Sequence, residues 1–335
     1  MGEPVPEKSV VEAKVSAAQV PGVVLVFDGK GGVRRLGDDA VRVGVPPKGF
    51  VLISGNSRQP DFKVWLKQEL GSFNADALTV LSTRSRCTVL DDKALLVLRV
   101  ARPGAKPDDV GRQLLGIWIE KGRVIIASEL NIPEFLGITA WEHSQHAPVS
   151  AADLVARLGL RASDRVEPLI EHLGDALDTI EEQLMLEDEH DVRGKLAHLR
   201  RTLIGFRKLL WPQRDVLNTL EIEDLSFFSA RDRARLREAS SRTARLGDEL
   251  QGLSERAVLI HEQIMDTRAE QMNRSMLVLA AVTVVFTPLT VLSGIFGMNV
   301  PIPYADDPHA FWIVMLLLVG VAALCIWWMR ARKWL

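Results

Sequence analysis

Two long stretches without a charged residue lie near the end of a chain in which 25% of the residues are charged. No Asp, Glu, Lys or Arg occurs from Ser275 to Ala305, or again from Ala310 to Met329. Each stretch reaches the roughly 20 apolar residues that cross a bilayer as an α-helix. The sequence therefore predicts a hairpin of two membrane helices with a very short loop, attached to a long charged segment that reads as a soluble domain.

The charges that flank the two stretches predict their orientation. The second stretch is followed by Arg330, Arg332 and Lys333, and the first is preceded by Arg268 and Arg274, whereas the connecting loop is acidic. By the positive-inside rule, both large ends lie on the cytoplasmic side. The N-terminus has acidic residues and no apolar run, so it does not resemble a signal peptide. We expect a multi-pass protein of a bacterial-type inner (plasma) membrane with both termini in the cytoplasm.

Composition argues against several classes of function. The net charge of -2 gives no basic excess, so nucleic acid is not indicated as a partner. The two cysteines, Cys87 and Cys325, make a disulfide framework implausible. No nucleophile, base and orienting group can be assembled from local spacing, so we predict no enzyme and no resident cofactor.

The first 150 residues have the texture of an α/β domain. The runs GFVLIS, ALLVLRV, QLLGIWIE and RVIIAS read as strands, and PDFKVWLKQEL reads as a helix. The glycines around Lys30 suggest a phosphate cradle only superficially, because the Walker spacing is absent. Turn chemistry favours a β-hairpin at this point.

From Ser150 onward the pattern is helical almost throughout. SAADLVARLGL, DRVEPLIEHLGDALDTIEEQLML and VRGKLAHLRRTLIGFRKLLW read as three helices, the last one ended by Pro212. A final helix runs without a breaker from about Ser229 to Phe296, and so enters the first apolar stretch. We expect the preceding helices, and copies of the chain arranged in a ring, to cover its narrow apolar seam. The seam consists of Leu246, Leu250, Leu253, Ala257, Ile260 and Ile264.

One face of the first membrane helix carries a stripe of small, hydroxyl and apolar residues. Such residues are common in ordinary helix packing within membranes, so a packing role stays open beside a pore wall. Continued toward the cytosol, this face passes Asn273 and reaches Asp266 and Glu262, which are either cation contacts or a solvated surface. The stripe consists of Met276, Leu279, Thr283, Thr287, Thr290, Gly294 and Gly297.

No set of ligands for a transition metal such as zinc stands out, although such metals are usually held by His and Cys. His143 and His146 have ligand-like spacing but no second pair, so we favour a surface loop. The acidic turn 187–191, which contains His190, reads as a solvated helix connection. His309, beside the external loop, is the best candidate for a pH-sensitive or zinc-capturing group.

The segment TPLTVLSGIFGMNVPIP resembles the end of the first membrane helix in the CorA superfamily of divalent-cation transporters, where a Gly-Met-Asn motif closes that helix. RSRCTVLDDKALLVLRV, PQRDVL, DRARLREASSRTARL and RARKWL resemble the zinc-transporting ZntB branch. Three departures concern the ion. Phe296 stands where magnesium-type members usually have Tyr, Met298 is kept where many ZntB-type members have a smaller apolar residue, and residues 300–303 retain only the Ile-Pro of the ZntB-type turn. The resemblance implies zinc as cargo, with magnesium, cobalt or nickel as the alternative.

The resemblance also implies an assembly: a homopentamer in the lipid bilayer, with a cytosolic funnel and a pore lined by the first membrane helices. Gly297, Met298 and Asn299 would form the external filter, in which a ring of Asn299 amide oxygens holds the water shell of the ion. Asp306 and Asp307 would concentrate cations at the mouth. The polar rings below the filter would be Thr290, Thr287 and Thr283, followed by Leu279 and Met276.

Together these patterns predict an α+β membrane protein. A non-conducting sensor or scaffold, anchored by the hairpin, remains the alternative from a different class. The predicted divisions are an α/β domain at 1–150, a helical domain at 151–275, the first membrane helix at 276–299, an external loop at 300–309, the second membrane helix at 310–329 and a basic tail at 330–335.

Overall fold

A computed structural model of the chain describes residues 20–36, 49–80, 84–106, 111–138, 141, 145–185, 192–298 and 309–332. The chain divides into two compact units, Met1–Val258 and Leu259–Leu335. The first unit holds a β-sheet with helices on both faces. The second holds the C-terminal part of one long helix and a further apolar helix.

Seven strands are present in the described part of the first unit. They are β1 (Val23–Phe27), β2 (Val33–Arg35), β3 (Phe50–Asn56), β4 (Arg86–Leu90), β5 (Lys93–Ala101), β6 (Arg112–Glu120) and β7 (Arg123–Ser128). They form one sheet in the order β2-β1-β3-β7-β6-β5-β4. β3 and β7 pair in parallel, whereas the other neighbours pair antiparallel. The α/β texture and each of the quoted strand runs are confirmed, and β4 is a strand that our secondary-structure reading omitted.

The apolar runs of the central strands reflect burial on both sides of the sheet. Leu96 and Ile117 belong to the core on one face, and Val97 and Trp118 belong to the core on the other. A strand buried on both faces reads as a continuous apolar run instead of an alternating one. This is why β5, β6 and β7 were readable from the sequence.

The described helices are α1 (Pro60–Thr79), α2 (Ile132–Leu136), α3 (Ala151–Met185), α4 (Val192–Ile222), α5 (Ala230–Phe296) and α6 (Ala310–Ala331). α1 covers one face of the sheet with Phe62, Trp65 and Leu66. α3 and α4 cover the other face, where Val155 and Leu217 are fully buried. The first unit therefore has three layers, with the sheet in the middle.

The predicted hairpin joins β1 to β2. The Asp28 carboxylate accepts hydrogen bonds from the main-chain N–H groups of Lys30 (2.7 Å) and Gly32 (2.9 Å). These bonds, led by the one from Lys30, lower the pKa of Asp28. Gly31 has a φ of 105°, which a residue with a side chain rarely adopts. The glycines thus serve a turn, as predicted.

Two long helices start with the same local signal. The Ser150 hydroxyl accepts the N–H of Asp153 at 3.0 Å, while the Asp153 carboxylate accepts the N–H of Val149 at 3.0 Å. At the start of α5, the Ser229 hydroxyl accepts the N–H of Asp232 at 3.2 Å, and the Asp232 carboxylate accepts the N–H of Ser229 itself at 2.9 Å. The α5 start is therefore a capping box with Asp in place of the usual Glu, and at the α3 start the carboxylate bonds the N–H one residue before the cap instead.

The predicted end of a helix at Pro212 is wrong. α4 continues through Pro212 to Ile222. An internal proline removes one helical hydrogen bond and costs about 3 kcal/mol, but burial of Leu209, Val216 and Leu220 on the same helix offsets that cost. Similarly, the two helices predicted on either side of residue 163 are one, α3, which passes through Pro168.

The predicted apolar seam of α5 is confirmed. α3 contributes to its cover in the first unit, since Gly174 lies against the Leu253 side chain. Arg256, beside the seam, pairs at 2.7 Å with Asp178 and with Glu181 of α3. Leu253 is half-buried, and the seam residues that are buried are Leu246, Leu250, Ala257, Ile260 and Ile264.

Candidate functional site

The predicted stripe lies on the membrane-type part of α5. That part of α5, like α6, is long and apolar enough to cross a bilayer by length and composition. Each stripe residue is exposed in the single chain: Met276, Leu279, Thr283, Thr287, Thr290, Gly294 and Gly297. Leu279 keeps 68% of its surface exposed, although it is apolar. Such a surface requires lipid or another chain to cover it.

The opposite face of the same helical segment is half-buried. At 3.6 residues per turn, the centre of this half-buried face lies about 180° around the helix from the centre of the stripe. The stripe is therefore on the side of α5 that this chain itself leaves uncovered. The half-buried positions are Ala281, Val284, Val285, Pro288, Leu289 and Leu292.

The three threonines of the stripe share one hydrogen-bonding arrangement. Each hydroxyl donates to the carbonyl oxygen four residues earlier: Thr283 to Leu279 at 2.9 Å, Thr287 to Thr283 at 2.8 Å, and Thr290 to Phe286 at 2.8 Å. A hydroxyl has one donor and two acceptor lone pairs. Because its single donor is used within the helix, each oxygen presents acceptor capacity only, which suits a cation or the hydrogens of its water shell.

α5 ends at Phe296, directly before the predicted filter. The N–H of Gly297 donates to the Ser293 carbonyl at 2.9 Å, and that of Met298 donates to the Ile295 carbonyl at 3.3 Å, so the last turn tightens as the chain leaves the helix. Met298 is 56% exposed. The other predicted filter and mouth residues, Asn299, Asp306 and Asp307, lie outside the described residues.

The remaining residues predicted to contact a metal ion are not brought together in one cluster among the described residues. Glu262, Asp266 and His309 are exposed, and His309 directly precedes α6. His143 and His190 lie outside the described residues, and the His146 carbonyl accepts a hydrogen bond from Arg157 at 2.6 Å. Among the described residues, no group of three or more His, Cys, Asp or Glu side chains could hold a metal ion.

One pair of histidines was missed by the sequence reading. His172 of α3 and His198 of α4 line the same pocket of about 560 Å³. The two residues are 26 positions apart, and antiparallel helix packing brings them together. Only periodicity combined with a correct pairing of the two helices could have shown this.

A buried carboxylate joins the starts of α3 and α5. Asp153 is fully buried, and it pairs with Arg157 at 3.1 Å and with Arg235. Burial by itself would raise the pKa of Asp153, but the hydrogen bonds from Val149, Arg157 and Arg235 hold that pKa below its ordinary value. The group is structural and lies in the first unit, so it is not part of the candidate pore.

Comparison with known proteins decides the family. The family model described as CorA-like Mg2+ transporter protein matches residues 48–332. This chain belongs to the CorA-like family of divalent cation transporters. Members of this family are ion transporters and not enzymes, so the cation is a substrate and no cofactor is involved.

Two curated relatives match over nearly the whole chain. The divalent cation transporter CmaX of Pseudomonas aeruginosa is 32% identical over 322 residues, which cover 92% of this chain and 95% of CmaX. The zinc transport protein ZntB of Yersinia pseudotuberculosis is 29% identical over 333 residues, covering 97% of this chain and 99% of ZntB. The predicted resemblance to the superfamily and to ZntB is thereby confirmed.

Solved structures agree on the architecture. The structure of full-length CmaX matches with a TM-score of 0.75 at 30% identity, covering 96% of this chain and 100% of CmaX. The CorA magnesium transporter from Methanocaldococcus jannaschii matches with a TM-score of 0.75 at 20% identity, covering 93% and 99%, and supports the fold alone. The predicted fold, a soluble α/β domain followed by long helices and two apolar helices, is confirmed.

Proposed function

We propose that this chain transports zinc across a bacterial inner membrane as a homopentamer, through a pore lined by the stripe of α5. Both termini lie in the cytoplasm, and the residues preceding the first span form a cytosolic funnel. The domain divisions predicted from the sequence apply to this arrangement. Family membership makes the cargo a divalent cation. The choice of zinc, the pentamer, the pore lining and the orientation are our proposal.

The observation that carries the proposal is the position of the threonines on α5. They lie on the uncovered side of the helix with their donors already used, at 2.8 to 2.9 Å. A stripe that served packing inside the chain would lie on the half-buried face, but the residues of that face are all apolar. Placed around an axis, five such stripes form rings of oxygen acceptors suited to a hydrated cation.

The filter follows the last turn of α5. Gly297 permits close approach of the backbone, and Met298 packs behind Asn299 to hold it. A ring of Asn299 amide oxygens binds the water shell of a dication without stripping it. A ring of carboxylates in the same position would bind the dication more tightly and release it more slowly. Asp306, Asp307 and His309 then form the external mouth, and Asp266 with Glu262 meets the ion at the cytosolic side.

Zinc is supported by the ZntB relative, whose name states zinc transport and whose match covers 97% of this chain. Magnesium is the second candidate, because the matching family model is described as a Mg2+ transporter. Met298 fits the magnesium-type motif, whereas Phe296 departs from it. A direct comparison of the two ions is therefore the central experiment.

The experiment is zinc entry into proteoliposomes that contain the full chain, read with a trapped zinc-sensitive dye. Magnesium competition and an imposed pH gradient are the paired conditions. We expect zinc flux that excess magnesium leaves intact. Asn299→Ala should lower the flux or change the ion preference, while Asn218→Ala, an exposed position on α4 in the first unit, should match the parent chain.

Each alternative has its own outcome. Zinc flux that modest magnesium abolishes would assign the chain to the magnesium-type branch. Absence of any flux from an oligomer of verified size would favour the anchored sensor instead. Unchanged flux and selectivity in a correctly assembled Asn299→Ala protein would remove Asn299 from the filter.

A further inference from the structure

A strongly basic pocket of about 730 Å³ lies in the first unit and is lined by side chains from β5, β6 and α4, together with Arg84. None of its lining residues belongs to α5 or α6. Its lining contains five cationic side chains and no acidic one. The lining residues are Arg84, Arg99, Arg112, Ile204, Arg207, Lys208, Trp211 and Pro212.

Strand register and helix periodicity bring the charges together. Arg99 pairs with Leu114 and Arg112 pairs with Ala101 across β5 and β6, so the two arginines are diagonal neighbours on one face of the sheet. On α4, Arg207 and Trp211 are one helical turn apart and so share a face. Arg112 reaches α4, where its Nη2 donates to the Gly205 carbonyl at 3.3 Å.

Four of the five cationic side chains of the pocket have no acidic partner among the described residues. There, Arg99, Arg112, Arg207 and Lys208 form no ion pair with a carboxylate. By contrast, Arg256 of the same unit has two acidic partners at 2.7 Å. Uncompensated charges of one sign, held on a rigid sheet and helix, attract counter-ions of the other sign.

Arg99 is the most confined of these groups. Its Nε is buried and has no hydrogen-bond partner among the described residues. The pKa of Arg99 is lowered by burial and, next, by the positive charge of Arg112. Both effects mean that the folded chain holds the Arg99 guanidinium at a cost, which a neighbouring anion would offset.

Trp211 fixes the geometry of the pocket wall. The guanidinium of Arg207 lies over the Trp211 ring at 4.1 Å from its centre, in a cation–π contact that holds the planar group in place. Because the guanidinium covers that face of the ring, Trp211 orients Arg207. The cationic side chains are then the groups that would bind a ligand. Guanidinium forks match the spacing of phosphate oxygens.

We propose that this pocket is a binding site for a soluble ligand with two or more linked phosphate groups. The number of cations decides the class of ligand. A single phosphate carries about two negative charges at neutral pH, fewer than the four cationic side chains of the pocket that form no ion pair. A pyrophosphate or triphosphate group matches that charge more closely and spans more of the pocket.

The test is calorimetric titration of pyrophosphate into the full chain, purified in detergent and freed of metals by a chelating resin. We expect one saturable site in the parent chain. Arg99→Gln and Lys208→Gln should each weaken binding about tenfold, the effect of losing one charge-assisted contact. Arg193→Gln is the matched control, because it removes an exposed charge of α4 that does not line the pocket.

Several outcomes would overturn the site. These are absence of saturable pyrophosphate binding in the parent chain, equal weakening in Arg193→Gln, and full competition by equimolar chloride. Tighter binding of short-chain phosphatidic acid than of pyrophosphate would replace the soluble ligand by a lipid headgroup and reject the proposal. If Arg99→Gln does not fold, the exposed Lys208→Gln decides the result. Since the readout is binding and not flux, its failure and that of the zinc pore are distinguishable.

Discussion

The hydroxyl of Thr287 donates a 2.8 Å hydrogen bond to the main-chain carbonyl oxygen of Thr283, one turn earlier on α5. This bond uses the single donor of the hydroxyl, and Thr283 and Thr290 repeat it. The threonines of the stripe therefore offer their surroundings hydrogen-bond acceptors but no side-chain donors. A surface of that kind distinguishes cations from anions without any ionised side chain.

The first prediction concerns Thr287. Replacing it by Val keeps the shape of the side chain and removes the oxygen. We expect zinc flux in proteoliposomes to fall by up to about tenfold, which corresponds to the free energy of about one hydrogen bond. Thr267→Val is the control, because Thr267 makes the same bond to Gln263 at 3.0 Å but lies about 200° around the helix from Thr287. Equal flux in both variants would mean that the stripe serves packing.

The second prediction is a pH dependence set by Asp153. Its pKa is lower in the folded chain than its ordinary value of 3.8, so the unfolded state binds the proton more readily. The ionised carboxylate therefore stabilises the fold fully above about pH 4, and this contribution is lost as pH falls through the folded pKa.

The measurement for Asp153 compares the parent chain with Asp153→Asn. At pH 7 we expect the variant to be less stable by about 3 kcal/mol, because Arg157 and Arg235 lose a buried partner. The difference in thermal midpoint between the two proteins, recorded in detergent from pH 7 to pH 3, should shrink below pH 4. A difference that grew on acidification would contradict the assigned sign.

The third prediction concerns the reactivity of Cys87. Burial, with a smaller contribution from the charge of Glu223, raises the pKa of its thiol to about 12. Because the thiolate is the nucleophile, alkylation at pH 8 should be about a thousandfold slower than for a free cysteine. A Cys325→Ser chain leaves Cys87 as the sole thiol, and iodoacetamide labelling followed by mass spectrometry gives the rate. Denatured protein should label at the ordinary rate, and comparable rates in the native chain would show that Cys87 is accessible as thiolate.

The fourth prediction contrasts two glycines. A Cβ at Gly116 would lie 2.3 Å from the Leu78 carbonyl oxygen, a main-chain atom that cannot move aside. Gly116→Ala should therefore destabilise the chain by about 2 kcal/mol, and differential scanning fluorimetry should show a thermal midpoint lower by several degrees.

Gly252 is the matched position for Gly116. It lies inside α5 with no atom within 4 Å of a Cβ built there. Gly252→Ala should raise stability by about 0.5 to 1 kcal/mol through helix propensity alone. Equal shifts in the two variants would show that close approach at Gly116 does not limit the packing of α1 on the sheet.

Much of the fold was readable because its signals are local. The strands β5, β6 and β7 are uninterrupted apolar runs, the β1–β2 turn is specified by Asp28 and its glycines, and the α5 seam has a regular period. The error at Pro212 has the opposite cause. The proline signal is also local, but packing along α4 outweighs it.

The candidate pore was predictable in part. Charge-free length and helical spacing indicated the stripe, and the Gly-Met-Asn motif indicated the family. That the stripe lies opposite the half-buried face of α5 could not be read from spacing, because it depends on which side is covered. Asn299 and the acidic loop stay predictions from the sequence.

The sequence by itself determined two membrane-type helices, the soluble α/β domain and the superfamily, because each follows from composition, period or motif along the chain. Only the tertiary structure decided which distant side chains meet. Arg99, Arg112 and Arg207 come from two strands and a helix, and His172 and His198 line one pocket from two different helices. The physical reason is that packing and strand register set these contacts through the whole core, which no local window of the sequence contains.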